Sequence, residues 1–573
     1  MKTLFIFFAI LVCHTSVAQT YSPEIETKIK QVEENLFRYF KIEGKSNPTI
    51  KQKMASNKII GLSIAIVNNY KIEWAKAYGW ADSAEKRPVT TNTIFEPGSI
   101  SKSLNSVGIL KLAQDKQIDL YTDINNYLTS WKFPYDTISK GKKITIANLL
   151  SHTAGLTVHG FPGYELGTTI PTLPQILDGK PPANTSAVRS EFQPGIKHQY
   201  SGGGTTITQL ILKDVTKQPY DTWMYENVLK PIGMLNSSFS QPQPNQKHEL
   251  MATGYSRNGA VKGKYHIYPE QAAAGLWTTP SDLCKFIIET QLSLKGKSNK
   301  VLTQAQTQLQ LKPYIDSAVG LGVFIDNRNG TKYFSHGASN EGFSGFYTGS
   351  FEDGNGIALV CNASDGSPLM DEFIKSVAQV YNWKGFNNNP GVLKKEVNLN
   401  QNQADKFLGY YKAGTFVNEI YKKNNHYYSQ ALANPWQIYF TSDSSFINLE
   451  STSEKTILFN KAGNVIGYKR VVEGKEIDTT KKIELLKLSN ADLKKFVGDY
   501  KLDDVISIVL EGDVAYILEG KEKFEMKFIS KNEFFSTEDP GWINQFVADA
   551  NGNITSLVGY GEGGATLTFK KIK

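Results

Sequence analysis

The stretch FEPGSISKSL, residues 95–104, places a serine directly after a Pro-Gly pair, with a lysine three residues later and an apolar run behind both. Apolar residues recur at steps of four, three and three from Ile100 to Leu110, which predicts one face of a helix. The first N–H groups of a helix have no partner within it, and the helix dipole favours negative charge at that end. The backbone N–H of Ser99 is therefore placed to stabilise an oxyanion.

Lys102 follows Ser99 by three residues, so its amine can reach the serine hydroxyl from the same helix face. A lysine held in a packed, mostly apolar helix loses hydration, which favours the neutral amine that can accept the serine proton. The same Ser-x-x-Lys spacing also occurs at Ser83/Lys86 and Ser139/Lys142. Of the three serines, Ser99 alone follows a glycine and opens an apolar helix. We therefore predict that Ser99, rather than Ser83 or Ser139, is the nucleophile. The alternative is an ordinary capped helix with a solvated lysine.

FEPGSISKSL resembles the nucleophile motif of the serine β-lactamase and penicillin-binding protein superfamily, in particular its class C, DD-carboxypeptidase and esterase branch. Five later stretches are similar, in the same order, to other landmarks of that branch: TIANLLSHTAGL (145–156), YSGGGTTITQLIL (200–212), PIGMLNSSF (231–239), AAGLWTTPSDLCKF (273–286) and SHGASNEGFSGF (335–346). The resemblance implies an α/β domain with an antiparallel sheet flanked by helices, beside a helical lobe. It also implies a serine hydrolase that needs no metal or organic cofactor.

The second motif of this branch, Tyr-x-Asn, corresponds here to Tyr200-Ser201-Gly202. The resemblance implies that Tyr200 relays protons between the nucleophile, the lysine and the leaving group. Gly202 departs from the pattern, because it has no amide side chain to bridge the lysine and the substrate. The alternative for Tyr200 is a core tyrosine at the entry of the next helix. His152, in LLSHTAGL, matches a further landmark and is interpreted as structural.

The third motif is Lys-Thr-Gly in β-lactamases and His-x-Gly in several esterases and D-amino-acid-specific peptidases, and here it is His336-Gly337-Ala338. The resemblance implies that these residues bind substrate. It also implies that the backbone N–H groups of Ser99 and Ser339 form the oxyanion hole. Ala338 stands where the motif keeps a glycine, and His336 has the alternative of a structural role at a strand end.

The composition changes at GFNNNPGV, residues 385–392: strand-like and helix-like runs alternate before it, and short β-rich runs follow it. We predict a β-lactamase-related hydrolase domain at 19–385, a linker at 386–398, and β modules at 399–485 and 486–573. Matching stretches lie 89 residues apart and contain the pairs Phe407/Phe496, Phe446/Phe535 and Gly463/Gly552. The two modules are therefore predicted to be copies of one small barrel or sandwich.

The chain opens with MKTLFIFFAILVCHTSVAQ, which predicts a secretory signal peptide at 1–18 and a periplasmic or secreted protein. No later apolar run is long enough to cross a bilayer. The formal net charge is +8 and the charges are scattered, which argues against a nucleic-acid-binding surface. Cys284 and Cys361 lie in apolar stretches and are predicted to be core thiols.

These features predict an exported serine hydrolase that acts by acyl transfer on a small-molecule or peptide substrate. Three functions stay open: an amidase or peptidase on D-amino-acid or cell-wall peptides, with or without weak β-lactam hydrolysis; a carboxylesterase on small acyl esters; and a penicillin-binding or sensor protein with little turnover. Gly202 and Ala338 keep the third one open. A histidine and a glycine in place of Lys-Thr predict weak binding of substrate carboxylates. No acidic residue is assigned as a separate base for deacylation.

Overall fold

The computed structural model describes residues 20–256, 259–386, 391–430, 435–502, 505–519, 522–536, 541–561 and 566–572. The predicted signal peptide at 1–18 and residues 387–390 of the predicted linker lie outside these ranges. The chain divides into two compact units, Met1–Leu36 with Pro48–Asn388 and Phe37–Asn47 with Asn389–Lys573. Within the described ranges, no helix combines the length and the apolar character needed to span a membrane.

The helices, in chain order, are α1 (Pro23–Glu34), α2 (Ile50–Ser56), α3 (Ser101–Gln114), α4 (Ile146–Leu150), α5 (Leu173–Asp178), α6 (Gly202–Thr216), α7 (Tyr220–Met224), α8 (Lys230–Ile232), α9 (Gln271–Ala274), α10 (Pro280–Leu294), α11 (Gln304–Leu311), α12 (Ser367–Val380), α13 (Gln401–Ala404) and α14 (Asn490–Leu493). The strands up to the end of the first unit are β1 (Phe40–Ile42), β2 (Gly61–Asn68), β3 (Lys71–Asp82), β4 (Arg87–Pro88), β5 (Tyr164–Glu165), β6 (Tyr255–Ser256), β7 (Gly259–Ala260), β8 (His266–Ile267), β9 (Phe324–Arg328), β10 (Thr331–Asn340), β11 (Phe343–Ser350) and β12 (Gly356–Cys361). The later strands are β13 (Val392–Lys394), β14 (Gly409–Ala413), β15 (Phe416–Lys423), β16 (His426–Gln430), β17 (Pro435–Phe440), β18 (Ser445–Asn448), β19 (Glu454–Phe459), β20 (Val465–Val472), β21 (Lys475–Ile483), β22 (Gly498–Lys501), β23 (Val505–Glu511), β24 (Val514–Glu519), β25 (Glu522–Phe528), β26 (Glu533–Ser536), β27 (Ile543–Ala548), β28 (Ile554–Tyr560) and β29 (Thr566–Lys571).

The first unit is built on a seven-stranded antiparallel sheet in the order β4-β3-β2-β12-β11-β10-β9. Strand β2 contributes to two cores, because successive side chains of a strand point to opposite faces. Leu62, Ile64 and Ile66 face a core shared with α1 and α12, whereas Ala65 and Val67 face one shared with α3, α6 and α10. This architecture confirms the predicted α/β fold with an antiparallel sheet flanked by helices.

Helix α10 shows how local sequence sets an element of this fold. Thr279 Oγ1 accepts a hydrogen bond from the Asp282 N–H at 3.2 Å, and Pro280 takes the first helical position, where no N–H is needed.

The buried face of α10 includes Cys284, while Cys361 ends β12. Both cysteines are buried free thiols, as predicted.

Strand β10 becomes an edge of the sheet over its second half. Strand β9 pairs with Thr331–Ser335, whereas β11 pairs with β10 from Tyr333 to Asn340. Among the described residues, no strand pairs with the other side of His336–Asn340. The backbone groups on that side are therefore not used by the sheet.

The second unit contains two eight-stranded antiparallel barrels, β14–β21 and β22–β29. The sequence repeat has a structural counterpart in a tyrosine that ties each first strand to the segment before it. Tyr411 Oη donates to Phe407 O at 2.6 Å, and Tyr500 Oη donates to Phe496 O at 2.7 Å. The prediction of two all-β repeat modules is confirmed, and both are barrels.

Phe37–Asn47 also belongs to the second unit, although most of the first unit follows it in the sequence. Strand β1 pairs in parallel with β13. Phe40 and Ile42 of β1 are buried in a cluster with Ile447 and Leu449 of the first barrel. Burial of these apolar side chains accounts for the position of the segment.

Candidate active site

Ser99 lies in a short 3-10 turn that leads into α3. Gly98 before it has a φ of 64°, and a Cβ atom there would lie 2.6 Å from Asn340 Oδ1 and 2.8 Å from Ser339 O. The left-handed backbone and the close contacts together select glycine. All other residues from 93 to 110 are buried, whereas Ser99 is partly exposed. The turn therefore presents one serine at the surface of a buried stretch.

Lys102 is 4% exposed, and its Nζ lies 2.9 Å from Ser99 Oγ. The same Nζ donates to the backbone oxygen of Ala273 at 2.7 Å, which fixes the position of the amine. By contrast, Lys86 and Lys142 of the other two Ser-x-x-Lys stretches are exposed. The Ala273 carbonyl was not predicted, although it lies in the quoted stretch AAGLWTTPSDLCKF.

Tyr200 lies beside Lys102, with 4.9 Å between the lysine Nζ and the centre of the tyrosine ring. His152 packs against the same ring, with 4.3 Å between the ring centroids. His152 also holds the adjacent backbone: Gln199 N–H donates to His152 O at 2.7 Å, and Ser201 N–H donates to His152 Nδ1 at 3.2 Å. The structure thus brings the predicted tyrosine to the lysine, and the histidine interpreted as structural positions that tyrosine.

Gly202 begins α6, which Ser201 caps by accepting a hydrogen bond from the Gly204 N–H at 2.9 Å. A Cβ atom at Gly202 would lie 2.9 Å from Cε2 of Phe161 and 3.3 Å from His159 O. The ring of Phe161 therefore takes the space that a side chain at this position would need. Sequence reasoning did not find Phe161, because no motif in its loop marks it.

Ser339 lies on the edge of β10 that faces the nucleophile turn, since its carbonyl oxygen is directed at Gly98. In an antiparallel ladder the N–H and C=O of one residue point to the same side. The N–H of Ser339 is therefore directed to the side of the turn and away from β11. Gly337 and Ala338 precede it on the same edge, and all three residues are at least partly exposed.

His336 is 2% exposed, and its ring centroid lies 6.2 Å from that of Tyr200. Its Nδ1–H donates to Gly337 O at 2.6 Å. Burial, reinforced by the charge of Lys102, lowers the pKa of His336 to about 3. Burial also lowers the pKa of His152 well below its ordinary value. Both imidazoles are therefore neutral at pH 7.

The neutral state of His336 predicts a pH-dependent stability. Between about pH 6.5 and pH 3 the unfolded chain binds a proton at this histidine and the folded chain does not, so stability falls as the pH is lowered. One such group contributes a slope of up to about 1.4 kcal/mol per pH unit. Urea unfolding across this window is expected to show a flatter pH dependence in His336→Gln than in the parent. Equal slopes in the two proteins would contradict a buried, neutral imidazole.

Two acidic residues that sequence reasoning did not identify are fully buried in this unit, Glu96 and Glu270. Gln241 Nε2 donates to Glu96 Oε1 at 2.6 Å. Burial raises the pKa of Glu96 well above its ordinary value and that of Glu270 to about 8. Both groups are therefore mainly protonated at neutral pH, a state in which a carboxyl group does not activate water.

Comparisons with known proteins agree with this geometry. A family model described as Beta-lactamase matches residues 47–380. Protein flp of Staphylococcus aureus strain N315 is 26% identical over 358 residues, which are 60% of this chain and 68% of that protein. Teichoic acid D-alanine hydrolase of Staphylococcus aureus is 24% identical over 271 residues, which are 46% of this chain and 62% of that protein. The solved structure of an octameric penicillin-binding protein homologue from Pyrococcus abyssi is similar in fold, with a TM-score of 0.50 at 18% identity over 83% of this chain and 97% of that one. The chain belongs to the beta-lactamase family and is a serine hydrolase of that family.

Proposed function

We propose that this chain hydrolyses esters and amides that have no carboxylate beside the scissile bond, through an acyl-enzyme on Ser99. D-aminoacyl groups are the first acyl class to test. The observation that carries the proposal is the 2.9 Å contact between Lys102 Nζ and Ser99 Oγ, next to the unpaired edge of β10. The predicted hydrolase domain, residues 19–385, carries this activity apart from Phe37–Asn47, which belongs to the second unit, and the predicted signal peptide directs export.

Ser99 Oγ attacks the substrate carbonyl carbon while its proton passes to Lys102, which acts as the base. The N–H groups of Ser99 and Ser339 stabilise the negative charge that develops on the carbonyl oxygen. As the tetrahedral intermediate collapses, the proton passes from Lys102, with Tyr200 as relay, to the leaving alcohol or amine. Water then attacks the acyl-enzyme, the same groups take its proton and return it to Ser99 Oγ, and the acid is released.

The contacts of the lysine support its role as the base. Lys102 Nζ donates to Ala273 O at 2.7 Å and lies 2.9 Å from Ser99 Oγ, so the amine is held within reach of the serine proton. Neither neighbouring imidazole adds a positive charge to the site, because burial lowers the pKa of both His152 and His336. The acidic residues Glu96 and Glu270 are not ready bases, which leaves Lys102 and Tyr200 to activate water.

The walls of the site support a substrate without a carboxylate. His336 and Gly337 replace the lysine and threonine of Lys-Thr-Gly, and they offer neither a cation at pH 7 nor a hydroxyl group. Phe161 fills the place of the amide that Gly202 lacks. The relative named teichoic acid D-alanine hydrolase supports D-alanyl groups as an acyl class for this chain.

A matched pair of substrates tests this preference. Acetyl-D-Ala-D-Ala and its C-terminal methyl amide differ only in the carboxylate, and we expect kcat/KM to be higher for the amide. A substrate carboxylate loses the charge-assisted hydrogen bond that the lysine of Lys-Thr-Gly would donate. Such a bond is worth about 1.5–3 kcal/mol, which corresponds to roughly 10- to 150-fold in kcat/KM. The variant His336→Lys/Gly337→Thr should shift the ratio towards the carboxylate. Faster hydrolysis of penicillins or cephalosporins than of simple esters by the parent protein would overturn the preference.

The other two functions make different predictions in the same assay. A carboxylesterase without acyl preference would hydrolyse D-alanyl and L-alanyl esters at similar rates. A penicillin-binding sensor would instead accumulate a lasting acyl adduct on Ser99, detectable by mass spectrometry, with little product. We expect rapid product release and faster hydrolysis of the D-alanyl ester.

A further inference from the structure

A cavity of about 240 Å³ lies between the sheet and α12 in the first unit, and Gly337 and Ala338 form part of its wall. Four apolar and two hydroxyl side chains line it: Phe346, Met370, Ile374, Phe386, Thr348 and Ser367. An apolar cavity of about 150 Å³ is already large enough to bind benzene. This cavity therefore has room for a group larger than a phenyl ring.

Gly337, one of the strand residues that line the cavity, is a glycine that the backbone does not require. Gly337 has no left-handed φ, and a Cβ atom there would make only an ordinary contact, 3.6 Å from Phe346 Cδ2. Glycine weakens a strand interior, and at such positions it often marks the close approach of a ligand. The missing side chain leaves the strand backbone bare towards the cavity.

Two charged residues lie at the cavity, and each is compensated by a neighbour. Arg328 forms an ion pair with Asp326 and lies over the ring of Phe386, 4.2 Å from its centroid. Asp371 forms an ion pair with Lys375 at 2.6 Å. Because both charges are paired and the rest of the wall is mainly apolar, the cavity suits an uncharged, apolar group.

The cavity adjoins the substrate edge of β10. Gly337 and Ala338 precede Ser339 by two residues and one residue, and a strand rises about 3.3 Å per residue. The edge is open at this point because β9 pairs only as far as Ser335. The cavity residues Phe346, Met370 and Ile374 belong to the core shared with α1 and α12, on the face of the sheet opposite α3. A substituent of a substrate bound at the Ser339 N–H therefore reaches the cavity by passing around this open edge.

We propose that this cavity binds an apolar substituent of the substrate, an aryl or branched alkyl group, and so selects uncharged esters and amides that carry one. This inference rests on the proposed function. The cavity would thus set the position and the apolar character of one substituent of the substrate, which the catalytic residues do not define.

Substitutions in α12 test the inference without changing the catalytic residues. Ile374→Phe fills the cavity and Ile374→Ala enlarges it, while Val377→Ala removes a buried side chain of the same helix that does not line the cavity. We expect Ile374→Phe to lower kcat/KM for a benzyl ester at least tenfold relative to the methyl ester of the same acid. Ile374→Ala should raise the ratio of a naphthylmethyl ester to the methyl ester, and Val377→Ala should change neither ratio. An unchanged benzyl-to-methyl ratio in folded Ile374→Phe would overturn the inference.

A binding measurement separates this inference from the proposed function. Benzyl alcohol is titrated into Ser99→Ala protein labelled with ¹³C at the methionine methyl groups, and the Met370 resonance is assigned with Met370→Leu. We expect benzyl alcohol to shift the Met370 resonance, and Ile374→Phe to abolish the shift. If the shift occurs but no ester is hydrolysed by the parent protein, the proposed function fails and the cavity site stands. If esters are hydrolysed but the resonance does not move, the cavity site fails.

Discussion

Ser99→Ala is expected to lower hydrolysis of every substrate by about 10⁴-fold or more, because the acyl-enzyme can no longer form. Folding should be unchanged. The serine side chain is partly exposed, and the hydrogen bond from Lys102 Nζ to Ala273 O does not involve the serine hydroxyl. Rates measured with an ester, together with the melting temperature and circular dichroism spectrum of the two proteins, check both parts of this expectation.

Formation of a covalent adduct is a second measurement that tests Ser99 as the nucleophile. An activated ester or a fluorescent penicillin should add a covalent mass to the peptide that contains residues 95–104 in the parent and not in the variant. Ser101 and Ser103, in the helix α3 that follows Ser99, are buried and serve as internal controls. An adduct on either of them, or turnover in the folded alanine variant, would refute Ser99 as the nucleophile.

Lys102→Ala should lower kcat nearly as much as Ser99→Ala, because groups that act as a unit give losses that do not add. The double variant should therefore be little slower than either single one. Lys102 is buried, so truncation leaves a cavity and removes the donor to Ala273 O; Lys102→Met keeps the volume of the side chain and should be equally inactive. The measurement is kcat for each folded variant with the same ester.

The other two Ser-x-x-Lys stretches supply matched controls for the lysine. Lys86→Ala and Lys142→Ala remove exposed amines at the same spacing from a serine and should leave kcat unchanged. A loss in either variant comparable to that in Lys102→Ala would show that the wrong stretch was selected. The three lysines have the same local spacing, so this comparison isolates the effect of the buried helix.

Much of the fold follows from local sequence. The Thr-Pro start of α10 and the continuous apolar run of β2 are signals carried by short stretches. The 89-residue repeat can likewise be read directly from the sequence and predicts the two barrels. The parallel pairing of β1 with β13 has no such signature. It joins segments far apart in the chain, and burial of Phe40 and Ile42 decides it.

The sequence by itself determined that the side chains of Ser99 and Lys102 lie close together, because residues three apart in a helical stretch share one face wherever that stretch lies. It also determined that Gly202 and Gly337 supply no polar side chains. Only the tertiary structure decided what replaces them. Long-range packing puts the ring of Phe161 at Gly202, leaves an apolar cavity at Gly337, and buries His336 near Lys102 so that it stays neutral. The physical reason is that covalent geometry sets short-range distances, whereas burial and desolvation depend on every element packed around a residue.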